Sequence, residues 1–172
     1  MKKWFKIAVL FYLAESCLTI AYSQQNFNDL EYKDQVGYLS PENKDWSPNF
    51  KRCSNKLPIG TYSSTAPYIF RENKGKFRKF IVENFNGNRF TDTGLLNLRF
   101  IINCKGDIGD IEVNQLNFDF EPIHLNNDLI DRLKRLSFRK ENWKFDLTDK
   151  PFDYYMYLIF RIENGKVVEI LP

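Results

Sequence analysis

Between Glu72 and Phe85 the apolar residues Phe77, Phe80, Ile81 and Phe85 recur at i, i+3, i+4 and i+8, a spacing that places them on one stripe of a helix. Lys74, Lys76, Arg78 and Lys79 occupy the remaining positions, as a solvated face does. Residues 84–94, with Gly87 and Gly94, read as a loop, after which the period changes to two. Leu96, Leu98, Phe100, Ile102 and Cys104 alternate with Asn97, Arg99, Ile101 and Asn103, the pattern of a half-buried strand with Cys104 on its apolar face. Lys105, Gly106 and Asp107 supply a turn, and residues 108–120 return as a second strand through Ile111 and Val113.

Pro122 ends that strand. Asn126 or Asn127 then caps a helix whose stripe is Leu129, Ile130, Leu133 and Leu136, and Arg132, Lys134, Arg135, Arg139 and Lys140 follow toward its C-terminus, where positive charge suits the helix dipole. The strongest strand pattern is residues 154–162, apolar on both faces, which predicts a central strand or one whose second face is covered by the preceding chain. Asn164-Gly165 is a hairpin turn into residues 167–171. The predicted fold class is α+β: two helices on one face of a small antiparallel sheet, in the order helix, strand, strand, helix, strand, strand.

The first 69 residues follow other rules. Lys2, Lys3 and Lys6 precede a short apolar run ending near Ala14, and small residues follow at Ala21 and Ser23, so residues 1–23 are expected to be a cleaved export signal. Glu15 makes the run a poor membrane span. A lipid anchor at Cys17 is the minor alternative, because Glu15 suits that pattern poorly. Residues 24–69 are polar and interrupted by Pro41, Pro48, Pro58 and Pro67, which predicts an extended arm draping its scattered aromatics on the domain at 70–172. Export places the chain in the periplasm, at the cell surface or outside the cell.

Composition narrows the classes. The 172 residues suffice for one domain, and 25 basic against 22 acidic side chains give no field that would draw nucleic acid. Loss of the signal leaves Cys53 and Cys104 in a compartment where disulfides persist, and a bridge between them is worth roughly 4 kcal/mol in the chain-entropy model. Two separate buried thiols are the alternative. No catalytic, cofactor or metal constellation emerges. Asp107, Asp110 and Glu112 lack the glycine and ligand count of a calcium loop and are better explained by loop solubility, Asp128 and Asp131 share a helix, and His124 has no indicated partner. The chain is therefore expected not to be an enzyme.

Several landmarks resemble the C-terminal domain of TonB, the bacterial envelope protein that carries energy to outer-membrane transporters. They are the short helix from Lys74-Gly75 through Phe80-Ile81, Gly94, the strand at Leu98, Phe100 and Ile102, and the turn at Lys105, Gly106 and Ile108. Val113, the 129–136 helix, Trp143 and Phe160-Arg161-Ile162 complete the set. The match departs at Phe90-Thr91 and Lys144-Phe145, where the family carries Tyr-Pro and Pro-Gly, and the chain has no long proline-rich spacer. The resemblance thus implies a stand-alone exported relative, an interaction module of the cell envelope rather than an energy transducer. It implies a peptide-binding edge at Tyr154, Tyr155, Tyr157, Ile159 and Arg161, which would take an extended segment by strand addition. The hairpin strand at 167–171 could block that edge. The implied partner is an envelope protein or peptide segment, such as a component of TonB-dependent transport, and pairing as a homodimer through exchanged strands is compatible with the family. The alternative is a secreted protein holding an apolar small ligand between helices and sheet.

Overall fold

The computed structural model describes Leu39 and residues 49–61, 70–144 and 152–171. Its elements run β1 (Ile59–Gly60), α1 (Lys74–Asn84), β2 (Gly94–Ile102), β3 (Ile108–Leu116), α2 (Asn127–Ser137), β4 (Tyr154–Glu163) and β5 (Lys166–Leu171). The expected export signal, Cys17 and much of the expected arm lie outside the described residues.

Both helices begin where an asparagine satisfies a backbone N–H that has no partner within the helix. The Asn73 side chain accepts from the Lys76 N–H at 2.9 Å, and the Asn126 side chain from the Asp128 N–H at 2.9 Å. Asp128 in the first turn of α2 and Lys134 and Arg135 in its last complement the dipole. Phe77 and Ile81 of α1 and Leu129, Ile130 and Leu133 of α2 are buried against the sheet, as their spacing predicts.

The strand β4 lies inside the sheet. It pairs with β2 antiparallel from Gly94↔Ile162 to Ile102↔Tyr154, and β3 continues the sheet beyond β2. Its other edge is divided: β5 pairs antiparallel with Ile159 to Glu163, and β1 pairs parallel with Tyr154 and Tyr155. The sheet is therefore mixed, which corrects the purely antiparallel expectation. A two-residue strand shows no periodicity in sequence; the main-chain bonds from Ile59 N–H to the Asp153 carbonyl (2.8 Å) and from Thr61 N–H to the Tyr155 carbonyl (3.2 Å) define it.

Even-numbered residues of β2 and β4 face the helices, and Leu96, Leu98, Phe100, Leu158, Phe160 and Ile162 are at most 1% exposed. Trp143 sits among them, with ring centroids 5.2 Å from Phe70, 5.5 Å from Phe77 and 5.6 Å from Phe100. Its indole Nε1 donates to the Ser137 carbonyl at 2.9 Å, so the ring is buried without orphaning its N–H. On the opposite face a smaller cluster joins Leu39, Ile101 and Tyr155, with Phe50 and Tyr157 at its margin. Phe50 approaches the β3 backbone so closely that a Cβ on Gly109 would stand 2.1 Å from its Cγ.

Two predicted strand limits move, for one physical reason. Asn103 ends β2 by folding its side chain onto the turn: its Oδ1 accepts from the N–H groups of Lys105 (2.9 Å) and Asp107 (2.8 Å), and Gly106 takes φ +79°. Cys104 therefore lies in the turn rather than on the strand. Asn117 closes an equivalent loop, accepting from Asp119 and Glu121 at 2.9 Å each, so β3 stops at Leu116 instead of Phe120. The position occupied by Gly106 in the first loop is Phe120 in the second, at φ +64° and 73% exposed. A left-handed conformation costs a non-glycine residue about 1–2 kcal/mol, against roughly 0.5–1 kcal/mol of extra unfolded-state entropy for glycine. Phe120→Gly is accordingly expected to raise the urea midpoint, by up to about 1 kcal/mol of stability. A lowered midpoint would mean that the Phe120 ring makes a stabilising contact.

Candidate functional site

The five residues of the predicted edge separate by strand alternation. Tyr155, Tyr157, Ile159 and Arg161 share the face away from the helices, whereas Tyr154 belongs to the main core. Tyr154 and Tyr155 are buried, Tyr157 and Ile159 are half-buried, and Arg161 is exposed. Beneath them runs a polar row. The Arg99 Nε donates to the Tyr155 hydroxyl at 2.9 Å, its Nη1 meets the Glu112 carboxylate at 2.8 Å, and the Asn114 amide donates to that same carboxylate at 2.9 Å. Burial works against the Arg99 charge, but the Tyr155 and Glu112 interactions outweigh it and hold its pKa above the usual guanidinium value. Arg161 pairs with Glu163 at 2.8 Å and lies 5.1 Å over the Phe118 ring.

What occupies the edge itself is backbone. The strand β5 covers residues 159–163, so the hairpin foreseen as an obstacle forms there; β1 covers Tyr154 and Tyr155. The segment carrying β1 is fastened at several points. Cys53 and Cys104 are joined as a disulfide across a sequence separation of 51. Asp153, 2% exposed, accepts from the backbone N–H groups of Cys53 (2.9 Å) and Ser54 (3.1 Å). The Arg52 Nε meets the Asp110 carboxylate at 2.6 Å, and the Asn103 amide donates to the Lys51 carbonyl at 3.0 Å. Sequence reasoning found the cysteines and missed Asp153. An aspartate before a strand looks like a turn residue, and its two donors are about a hundred positions away.

The carboxylates weighed for chemistry each face a separate cation: Asp107 meets Lys140 (2.6 Å), Asp110 meets Arg52 and Glu112 meets Arg99. The hydrogen bond from Lys140 holds the Asp107 carboxyl below the ordinary carboxylate range. Asp128 is bound by Arg89 at 2.9 Å, and His124 is exposed. Among the described residues no three His, Cys, Asp or Glu side chains converge to hold a metal ion.

Comparison with protein-family models, with curated proteins and with solved structures finds no match to this chain. The space between helices and sheet, where the alternative would place a ligand, is filled by Trp143, Phe100, Phe160, Ile81 and Leu133, each under 2% exposed. The grooves among the described residues open at the surface and carry charged side chains, one of them between Arg71, Lys76, Phe80 and Arg139. No helix of the described residues is long and apolar enough to cross a membrane.

Proposed function

We propose that the chain is a non-enzymatic, exported interaction module of the bacterial envelope, a stand-alone relative of the TonB C-terminal domain, which takes up an extended segment of another envelope protein by strand addition along β4. The observation that carries this reading is β1. It is an extended segment from outside the helix–sheet unit, laid on the β4 edge at Tyr154 and Tyr155 and making the main-chain bonds that an incoming peptide would make. A contact of two residues is small enough for a longer strand to displace, and the half-buried Tyr157 beside it supplies area for selectivity. β5 stays in place in this scheme, which confines the entering segment to the β1 half of the edge.

Extended peptides from the periplasmic N-termini of outer-membrane transporters are the natural first ligands, given the family resembled. Titrated into ¹⁵N-labelled protein, a binding peptide is expected to shift the backbone amides of residues 154–158. Ile59→Pro removes the N–H that bonds to Asp153 and frees the edge, so it is expected to tighten binding severalfold. Unchanged amides in both proteins would overturn strand addition at this edge.

A further inference from the structure

On the far side of the molecule from the polar row, the end of α1 and the C-terminal half of α2 bound a groove of about 230 Å³ lined by Asn84, Asn86, Arg132, Arg135 and Arg139. Arg132 and Arg135 are one turn apart on α2, and Arg139 follows just beyond its end. The outer two are held by rings: the Arg132 guanidinium lies 6.0 Å from the centroid of Phe90, and that of Arg139 lies 5.3 Å from the centroid of Phe80. Asp128 is engaged with Arg89 and Glu83 with Lys79, Asp131 and Glu141 are exposed, and none of the three arginines forms an ion pair among the described residues.

Three uncompensated cations beside one groove repel one another, a cost that an anion placed between them would reverse. A guanidinium stacked on a ring keeps its in-plane N–H groups available, and its orientation is fixed before a ligand arrives. A single carboxylate uses one such fork. A tetrahedral dianion can accept from all three. We propose that this groove is a binding site for a phosphoryl oxyanion, free or carried on a lipid headgroup, with Arg135 as the central fork and Arg132 and Arg139 flanking it. The site lies on the helix layer, so it stands or falls separately from strand addition at the sheet.

The probe is inorganic phosphate added to the full chain at constant ionic strength, with chloride as the balancing anion and the arginine Nε–Hε signals as the readout. Saturable shifts confined to Arg132, Arg135 and Arg139 are expected. Arg135 is exposed, so Arg135→Gln is expected to weaken phosphate binding about tenfold with the urea midpoint unchanged, while Arg135→Lys weakens it less. Co-sedimentation with vesicles of phosphatidic acid in phosphatidylcholine, reversed by free phosphate and missing with phosphatidylcholine alone, would assign the phosphoryl group to a lipid. Phosphate binding without co-sedimentation would assign it to a soluble compound. Absence of a saturable shift, or wild-type affinity retained both in Arg135→Gln and in a variant with all three arginines changed to glutamine, would overturn the site and show that these arginines serve only the helix ends.

Discussion

Trp143→Ala is expected to destabilise the protein by about 3–5 kcal/mol, the range for removing a large aromatic side chain from a core that cannot collapse around the space. That is a large fraction of the stability of a domain this size. The indole is 0% exposed, touches rings contributed by α1, β2 and the segment before α1, and donates its N–H to Ser137 at the end of α2. Trp143→Phe keeps the stacking and leaves the Ser137 carbonyl without that donor, so it should fall between wild type and alanine. Equilibrium urea unfolding followed by far-ultraviolet dichroism measures both. A loss under about 1 kcal/mol for the alanine variant would mean that the helices do not pack on the sheet as described.

The second large effect belongs to the sulfur bridge. Cys53→Ser with Cys104→Ser opens a loop with a sequence separation of 51, for which chain entropy gives about 4 kcal/mol and measured removals about 2–5 kcal/mol. Its local consequence is more diagnostic than its size. Without the bridge, the segment holding β1 relies on the two bonds to Asp153, the Arg52–Asp110 pair, the Asn103 bond to the Lys51 carbonyl and the two-residue ladder. Hydrogen exchange at Ile59 and Thr61 should therefore accelerate by more than exchange at β2, which keeps both of its neighbours. Equal acceleration throughout would show that segment and sheet unfold as one unit. Uniform protection in the reduced protein would show that the segment docks without help.

How far the sequence could be read depended on whether a feature repeats along the chain. The stripes of α1 and α2 and the alternation of β2 and β4 recur over two or more turns or several residue pairs, and each lies where its pattern places it. Asn126 was legible as a cap because a helix stripe follows it. The second strand reads too long in sequence because Asn117, Phe118, Asp119 and Phe120 continue an alternation of large and polar residues, while the Asn117 side chain folds back on its own backbone and outcompetes the ladder. Cys104 keeps the alternation of the first strand for the same reason, two residues past its end at Ile102. The parallel β1 was invisible, since two residues carry no period and the choice of edge is made by Asp153 and the cysteines together. Of the predicted edge, alternation along β4 separates Tyr154 from Tyr155, Tyr157, Ile159 and Arg161. That both β1 and β5 share the outer side of β4 depends on tertiary arrangement, which residue spacing does not encode.

Placing β4 between all its neighbours constrains the order in which the molecule can be assembled during synthesis. β4 follows α1, β2, β3 and α2 in the chain, so during synthesis these emerge before the strand that lies between β2 and the segment bearing Cys53. Helices can form earlier, but the β2–β3 hairpin and the β1 segment cannot be joined into one sheet until β4 has emerged.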